Sequence, residues 1–293
     1  MTSRFDFTAE TSYDSCAMPP NNVANQTKTP FSDRVAQAMA VPRTIVAMAL
    51  DYPSGYVIPF HRHPRAQLLY AVTGVMTVTT ENGTWVVPPQ RGVWIPPLTK
   101  HQIVTSGQLS MRTLYIQEGA TSGLLTKCCV IGVTPLLREL ILHMVNLPVL
   151  YPLGGPEERV VAVILDQVRS LSVIPLNLPT PKDPRLEAIH RALTLDPANN
   201  TTLREWGHQV GASERTLARL FQNETGMSFR PWRQQFRLLE ALKYLANGVP
   251  VTVVAMNLGY DSVSAFIHMF KASFGETPMK YFKKVGDVAR NQL

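Results

Sequence analysis

The sequence has little cysteine and no apolar stretch long enough to cross a membrane. Its three cysteines among 293 residues are Cys16, Cys128 and Cys129. The first lies in a polar segment and the other two are adjacent, so their spacing matches neither a zinc site nor a disulfide framework. No apolar run approaches the roughly 20 residues that span a bilayer, and the N-terminus has no secretory signal pattern. These absences predict a cytosolic protein that uses neither disulfides nor the membrane.

Acidic residues are also scarce, and their deficit is concentrated in one part of the chain. The net charge is +7 and the isoelectric point is near 9.4. From Pro181 onward there are 15 Lys and Arg against 10 Asp and Glu, whereas the longer preceding part has 13 against 11. A basic excess favours a polyanionic partner. A chain of this length is also large enough for two cores, so we expect two domains with the partner bound by the second.

The first 120 residues change character once. Residues 1–40 are rich in Thr, Ser, Asn and Pro and predict a mobile arm. Residues 41–120 contain short β-rich runs separated by turn residues, which is typical of a β-sandwich or β-barrel. Asn82 and Gly83 lie between two such runs, and because both residues tolerate positive φ they predict a hairpin.

Residues 121–180 have a helical period and then a run of prolines. One helix is predicted to begin at Pro135 and another at Gly155, and these two are the candidates for a homodimer contact. Prolines at 175, 179, 181 and 184 then predict a stiff connector. This segment is therefore expected to be a helical linker and dimerisation region.

The last ninety residues contain one helix-turn-helix pattern twice. In the first copy, Leu203–Phe221, Thr202 and Glu205 match a capping box, and Gly211 suits the positive φ of a tight turn. Ser213 can cap the second helix, which buries its leucines and Phe221. The residues left outside are Glu214, Arg215, Thr216, Ala218 and Arg219. A guanidinium on such a helix can bond guanine N7 and O6 together, so this helix is predicted to read bases.

The second copy, Val251–Phe270, has the same plan with Gly259 at the turn. Phe266, Phe270 and Phe274 form its core face. The candidate reading positions are Val263, Ser264, Ala265, Ile267 and His268. We expect Val263 or Ala265 to contact thymine methyl groups and Ser264 or His268 to donate or accept hydrogen bonds. Direct readout is expected to be weaker here, because this set is less polar than the first.

Three further side chains are predicted to contact phosphate without reading sequence: Ser213, Lys271 and Lys280. Between the two copies, residues 228–246 read as one helix of about 28 Å. Such a rod can hold two recognition helices near the roughly 34 Å repeat of successive major-groove segments. One chain is therefore predicted to contact two turns of a double-stranded DNA.

Residues 185–290 resemble the DNA-binding domain of the AraC/XylS family of bacterial transcription regulators. The matching segments are Gly211-Ala-Ser-Glu-Arg-Thr-Leu-Ala-Arg-Leu-Phe221, Gly226-Met-Ser-Phe229 and the stretch from Leu258 through Phe270 to Tyr281. By this resemblance Arg215, Ala218 and Arg219, and in the second copy Ser264 and His268, lie where members of the family contact bases. Arginine is more usual at the position of His268, so the resemblance also implies a weaker second contact.

Two segments of the β-rich part resemble the paired motifs of cupin barrels, which serve many AraC-type regulators as a sensory domain. They are Gly55–Gly74, which contains His61, His63 and Gln67, and Gly92–His101, which contains Trp94. These four residues together with His101 are the candidate effector pocket. Trp94 is also a candidate for the barrel core, since a large aromatic at a strand is more often buried than a ligand platform.

The three histidines leave metal binding open as an alternative. His61 and His63 alternate on a strand and can face one side with His101, and three imidazoles can hold a divalent ion. The acid usual in metal-binding cupins is Gln67 here, which removes an anionic ligand. We therefore expect a metal-free pocket or a structural histidine cluster, and no cofactor.

The sequence as a whole predicts a multidomain α+β protein: a cupin-like β-barrel, a helical linker and an all-α double helix-turn-helix domain. The function predicted is a cytoplasmic, sequence-specific transcription regulator that binds operator DNA as a homodimer, takes a small-molecule effector and contacts RNA polymerase. Two alternatives stay open: a metal-dependent cupin oxygenase or isomerase with an appended DNA-binding domain, and an architectural DNA binder without specificity.

Overall fold

The computed structural model describes residues 31–283 of the chain. The strands lie before residue 179, and every regular element from Pro184 onward within the described residues is a helix. The strands are β1 Ile45–Tyr52, β2 Val57–His61, β3 Ala66–Thr80, β4 Gly83–Val87, β5 Arg91–Ile95, β6 His101–Ile116, β7 Cys129–Gly132, β8 Val173–Ile174 and β9 Asn177–Leu178. The helices are α1 Phe31–Ala40, α2 Pro135–Met144, α3 Pro156–Arg169, α4 Pro184–Leu195, α5 Leu203–Val210, α6 Glu214–Thr225, α7 Phe229–Ala246, α8 Val251–Asn257 and α9 Val263–Phe274.

The strands of the described residues form one antiparallel sheet in the order β1-β6-β3-β5-β7-β8, with β2 on β6, β4 on β3 and β9 on β4. The long strands β3 and β6 pair along nearly their whole length, and the register shifts on either side of Thr73, the second time at Gly74. Gly74 has φ +72°, and an added Cβ would lie 2.6 Å from the carbonyl oxygen of Gln108. The sheet therefore bends at this point, and each long strand has different neighbours at its two ends.

The prediction of a β domain in the first half is confirmed, but the sheet is not a closed barrel. No pairing between β1 and β8 closes the sheet into a ring within the described residues. Strand β1 was not predicted, and β3 and β6 each unite two runs that the turn residues appeared to separate, because a bulge bends a strand without ending it. The predicted hairpin is present, with Glu81 and Asn82 as its turn and Gly83 paired to Thr80.

The segment predicted as a mobile arm needs a correction at its end. Residues 31–40 form α1, in which Val35 and Ala38 are buried against Val46 and Tyr115. The helix forms because these small apolar side chains, three residues apart, find an apolar sheet face that local composition does not reveal. The rest of the predicted arm lies outside the described residues.

Helices α2 and α3 cover one face of the sheet. Thr134 caps α2 by accepting a hydrogen bond from the Leu137 N–H, and the buried side of α3 consists of Val161, Ile164 and Val168. The proline-rich connector is not simply a linker, because β8 and β9 within it pair with β7 and β4. Sequence reasoning missed β7 as well.

The helical half packs around α7, whose buried side includes Trp232, Phe236, Leu239 and Leu242. One continuous apolar core joins these side chains to the sheet residues Leu50, Val75 and Val78. Polar contacts reinforce the junction: the Tyr281 hydroxyl donates to the carbonyl oxygen of Pro89 at 3.0 Å. The two halves are thus packed against each other, with the end of α7 against β6.

Candidate functional site

The first helix-turn-helix consists of α5 and α6. Thr202 and Glu205 form the predicted capping box at the start of α5, and Gly211 ends it with φ +67° in the left-handed region. The Ser213 hydroxyl accepts a hydrogen bond from the Thr216 N–H at 3.1 Å and so begins α6. Leu217 and Phe221 are fully buried. Local capping and one apolar face therefore fix the orientation of α6.

The opposite side of α6 is open to solvent. Arg215, Ala218 and Arg219 are exposed, and Thr216 is half-buried. The hydroxyl oxygens of Thr216 and Ser213 lie 2.9 Å apart, so both are engaged at the cap. The two arginines are four residues apart and share one face. This arrangement presents two guanidinium groups on a helix whose other side is anchored in the core.

The second helix-turn-helix, α8 and α9, repeats this plan with less polarity. Gly259 has φ +68°, and the Ser262 hydroxyl accepts a hydrogen bond from the Ala265 N–H at 3.1 Å. Phe266 and Phe270 are buried. Of the predicted reading residues, Ser264, Ala265 and His268 are exposed, whereas Val263 is half-buried against the core. The predicted phosphate contacts Lys271 and Lys280 are exposed as well.

A loop between α4 and α5 holds the two units together, and sequence reasoning missed it. The buried guanidinium of Arg237 on α7 donates to the carbonyl oxygens of Pro197, Ala198 and Asn199 at 2.9, 3.2 and 3.0 Å. Gly259 approaches the same loop, since an added Cβ would lie 2.5 Å from the Ala198 oxygen. The signal in the sequence was an arginine within the apolar stripe of a helix, which requires buried acceptors.

The predicted histidine cluster is present in the sheet domain. The ring centroids of His61 and His101 are 4.2 Å apart, and that of His63 lies 5.9 Å from the first and 5.3 Å from the second. His63 and His101 are buried and His61 is half-buried. Gln67 joins the cluster, with its Oε1 3.1 Å from His63 Nε2 and its Nε2 donating to the Thr113 hydroxyl at 3.1 Å.

The surroundings keep these imidazoles neutral. Burial lowers the pKa of His61 and of His63 below the usual value. For His101, burial and then the proximity of His61 lower the pKa to about 3. Neutral imidazoles have a lone pair on one ring nitrogen, so three such groups facing each other make a nitrogen-rich site that accepts hydrogen bonds or a metal ion.

Trp94 does not belong to this cluster. It pairs with Leu68 on β3, whereas Gln67 occupies the neighbouring position of the same strand. Because successive strand residues face opposite sides, Trp94 lies on the other face of the sheet, where it packs in the core under α2 and α3. Its indole N–H donates to the Leu125 carbonyl oxygen at 2.6 Å. Of the two interpretations of Trp94, the structure therefore supports the core position and not a place beside the histidines.

Both halves of the chain are similar to known protein families. Residues 46–144 match the family model for an AraC-like ligand binding domain, and residues 206–284 match that for a helix-turn-helix domain. The HTH-type transcriptional regulator NimR of Escherichia coli is 37% identical over 231 residues, which covers 79% of this chain and 84% of that protein. The arabinose operon regulatory protein of Escherichia coli is 27% identical over 144 residues, 46% of this chain and 49% of that protein.

Among solved structures, the comparison with ToxT from Vibrio cholerae covers 83% of this chain and 98% of that protein's chain, at 12% identity and with a TM-score of 0.36. Within the described residues no helix is both long and apolar enough to cross a bilayer.

The relatives are regulators, which points away from the oxygenase or isomerase alternative. Because the identity to NimR extends over both halves, this chain belongs to the AraC family: it is a helix-turn-helix transcription regulator that binds DNA and has an AraC-like ligand-binding domain.

Proposed function

We propose that the two recognition helices read successive major-groove segments, with α6 supplying most of the discrimination. The observation that carries this is the outward position of Arg215 and Arg219 on a helix whose other face is buried. A bidentate guanidinium to guanine contact contributes about 1–3 kcal/mol of discrimination. On α9, Ser264, Ala265 and His268 contact bases with shorter side chains, and Val263 adds an apolar contact. The phosphate contacts come from Ser213 at the start of α6, from Lys271 on α9 and from Lys280 after it.

We also propose that the sheet domain binds a small-molecule effector beside the histidine cluster. Binding of this effector changes the fraction of DNA sites that the regulator occupies. Support comes from the contact between the halves, where the Asn247 side-chain oxygen accepts from the Gly107 N–H at 2.9 Å and from the Ser54 hydroxyl at 2.6 Å. Asn247 directly follows α7, which separates the two helix-turn-helix units. A ligand that prefers one arrangement of the sheet domain would therefore bias the position of α7.

We further propose that the regulator acts as a homodimer in the cytoplasm, where its DNA and RNA polymerase are. The support for the dimer is an apolar surface on and between α2 and α3, where Leu136, Leu150, Leu153 and Val163 are 53%, 55%, 61% and 41% exposed. Large apolar side chains grouped in this way are typical of a protein contact. Sedimentation at micromolar concentration tests this proposal, and a purely monomeric species for the wild-type protein would contradict it.

The base-reading proposal is tested by selecting binding sites from random duplex DNA with the full chain. We expect enrichment of a defined sequence and at least a thousandfold preference over random DNA at physiological salt, as is typical of specific regulators. Equal retention of all duplexes would instead indicate an architectural binder.

A further inference from the structure

We propose that Glu224 is a positioning residue for the recognition helix α6: it holds the proline-rich connector against the end of that helix, and the connector in turn is held by the sheet. The connector consists of residues 175–183, which contain β9 and end where α4 begins. The inference rests on the proposal that α6 reads bases. It gives the sheet domain a route to α6 itself, whereas the contact at Asn247 reaches α7.

The first part of the connector belongs to the sheet. Strand β9 pairs with Thr84 and Trp85 of β4. Just before it, the carbonyl oxygen of Leu176 accepts a hydrogen bond from the Val86 N–H at 3.1 Å. The side chains of Leu176 and Leu178 are buried. Strand pairing and apolar burial therefore make this part of the connector follow any movement of β4.

The last part of the connector is bound to α6. One carboxylate oxygen of Glu224, Oε2, accepts hydrogen bonds from the backbone N–H groups of Lys182 at 2.7 Å and Asp183 at 3.1 Å. The Asp183 side chain in turn caps α4 by accepting from the Arg185 N–H at 3.0 Å. Hydrogen bonds to a charged acceptor are stronger than neutral ones. Glu224 thus fixes the point where the connector becomes α4 to the last turn of α6.

The location of Glu224 on its helix supports a role outside that helix. It is the last residue but one of α6, where the negative end of the helix dipole disfavours a carboxylate. A neutral or basic side chain would stabilise this end of the helix better. The two backbone donors of the connector compensate for the unfavourable position, so the carboxylate serves the contact between connector and helix.

Trp232 gives the connector a second contact with α6. Its indole N–H donates to the carbonyl oxygen of Pro179 at 3.5 Å. Its ring centroid lies 5.3 Å from that of Phe221, on the buried side of α6. The prolines at 175, 179 and 181 restrict the backbone between these contacts. A displacement of β4 is therefore passed on to α6 and is not absorbed by a flexible linker.

The experiment compares E224A with E224Q in the full chain. It measures affinity for the site selected from random DNA and for random duplex of the same length at one salt concentration. Both variants lose the same charge, but E224Q keeps an oxygen that can accept from two N–H groups. We expect the ratio of the two affinities to fall about fivefold or more in E224A and to stay near the wild-type value in E224Q. N223A, at an exposed residue of the same turn, should also keep the wild-type ratio.

The ratio separates positioning from stability and from base reading. Partial unfolding lowers both affinities together and leaves their ratio unchanged. Equal losses in E224A and E224Q would assign the effect to charge and overturn the inference. A lower ratio in R219A with a wild-type ratio in E224A would also overturn it, while leaving base reading by α6 intact. An unchanged ratio in R219A would contradict base reading itself, and this inference with it.

A change within the connector tests the part played by the sheet. P179G adds backbone freedom between β9 and the donors to Glu224, and it keeps the carbonyl oxygen that faces Trp232. We expect the ratio to fall about fivefold or more, as in E224A. P42G, at an exposed proline between α1 and β1, is the control and should keep the wild-type ratio. A wild-type ratio in P179G together with a loss in E224A would confine the role of Glu224 to the DNA-binding half and contradict a route from the sheet.

Discussion

The side-chain oxygen of Asn247 accepts a hydrogen bond from the backbone N–H of Gly107, 140 residues away, at 2.9 Å. This contact joins the residue after α7 to a bend in β6. The Ser54 hydroxyl donates to the same oxygen and accepts from the same N–H, so three groups form one small network. The network lies at the boundary between the ligand-binding and DNA-binding halves and is a polar link between them.

Replacement of Gly107 by alanine should loosen this boundary. Gly107 has φ +71°, and an added Cβ would lie 2.2 Å from the Ala246 carbonyl oxygen, so the end of α7 must move away. We expect hydrogen exchange to become faster for the backbone amides of residues 243–249. The matched control is G55A, since Gly55 has φ +78° with no atom within 4 Å of an added Cβ. Equally slow exchange in both variants would show that the contact does not restrain α7.

Arg237 should stabilise the DNA-binding half through the loop that it holds. The R237M variant leaves the carbonyl oxygens of three loop residues without their charged donor. We expect a loss of about 2–4 kcal/mol in the free energy of unfolding, because unsatisfied buried acceptors are costly. Denaturant unfolding measures it, with R230M as the control at an exposed arginine of the same helix. Similar losses in the two variants would mean that the hydrogen bonds from Arg237 to the loop contribute little to the free energy of unfolding.

His190 should make the DNA-binding half less stable in mild acid. Burial lowers its pKa, and its ring packs at 5.6 Å from that of Trp232. Glu240 and Glu187 oppose that shift and Lys243 adds to it. The unfolded chain binds a proton at His190 more readily than the folded chain does. The contribution of neutral His190 to the free energy of unfolding is therefore complete above about pH 6.5 and declines as the pH falls below that value. Denaturant unfolding of H190L from pH 7.5 to 5 should show a shallower decline than the wild-type protein, and parallel curves would contradict this.

Local signals in the sequence were sufficient for the helical half. The capping box at Thr202 and Glu205, the glycine turns at Gly211 and Gly259, and the phenylalanine spacing on α9 all depend on neighbours within a few residues. Such features are readable because helix caps and periodic apolar faces are local. The exposed positions of Arg215 and Arg219 follow from the same periodicity, and what they contact on DNA is still a prediction.

The sheet half was less readable because its decisive contacts are distant in sequence. The cupin-like segment makes Trp94 a candidate for both the pocket and the core, and only the strand register relative to Leu68 decides which face it is on. The contact of Asn247 with Gly107 crosses the domain boundary and is distant in the same way. In the helical half, Arg237 is the exception to local readability, because its acceptors lie 38 to 40 residues away. The convergence of His61, His63 and His101 was predicted, whereas the backbone carbonyl oxygen beside each Nδ1 atom is visible only in the structure.

Arg219 is the residue whose loss should most clearly change specificity. The variant R219A removes an exposed guanidinium from α6 and should lose about 1–3 kcal/mol of binding to the preferred site, with relaxed preference at one base position. Binding measured across single-base variants of the site detects this. R169A, at an exposed arginine of α3 that pairs with Asp166, is the control and should bind as the wild-type protein does. A uniform loss on every sequence would make Arg219 a phosphate contact instead.

The central claim is that both recognition helices of one chain read DNA together. It is tested most directly by selecting binding sites from random duplex DNA and mapping which positions are enriched. The predicted result is two blocks of enriched bases with centres about one helical turn apart, roughly 10 base pairs. In R219A the stronger block should lose its preference at one position. A single enriched block, or two blocks of which neither depends on Arg219, would contradict the account.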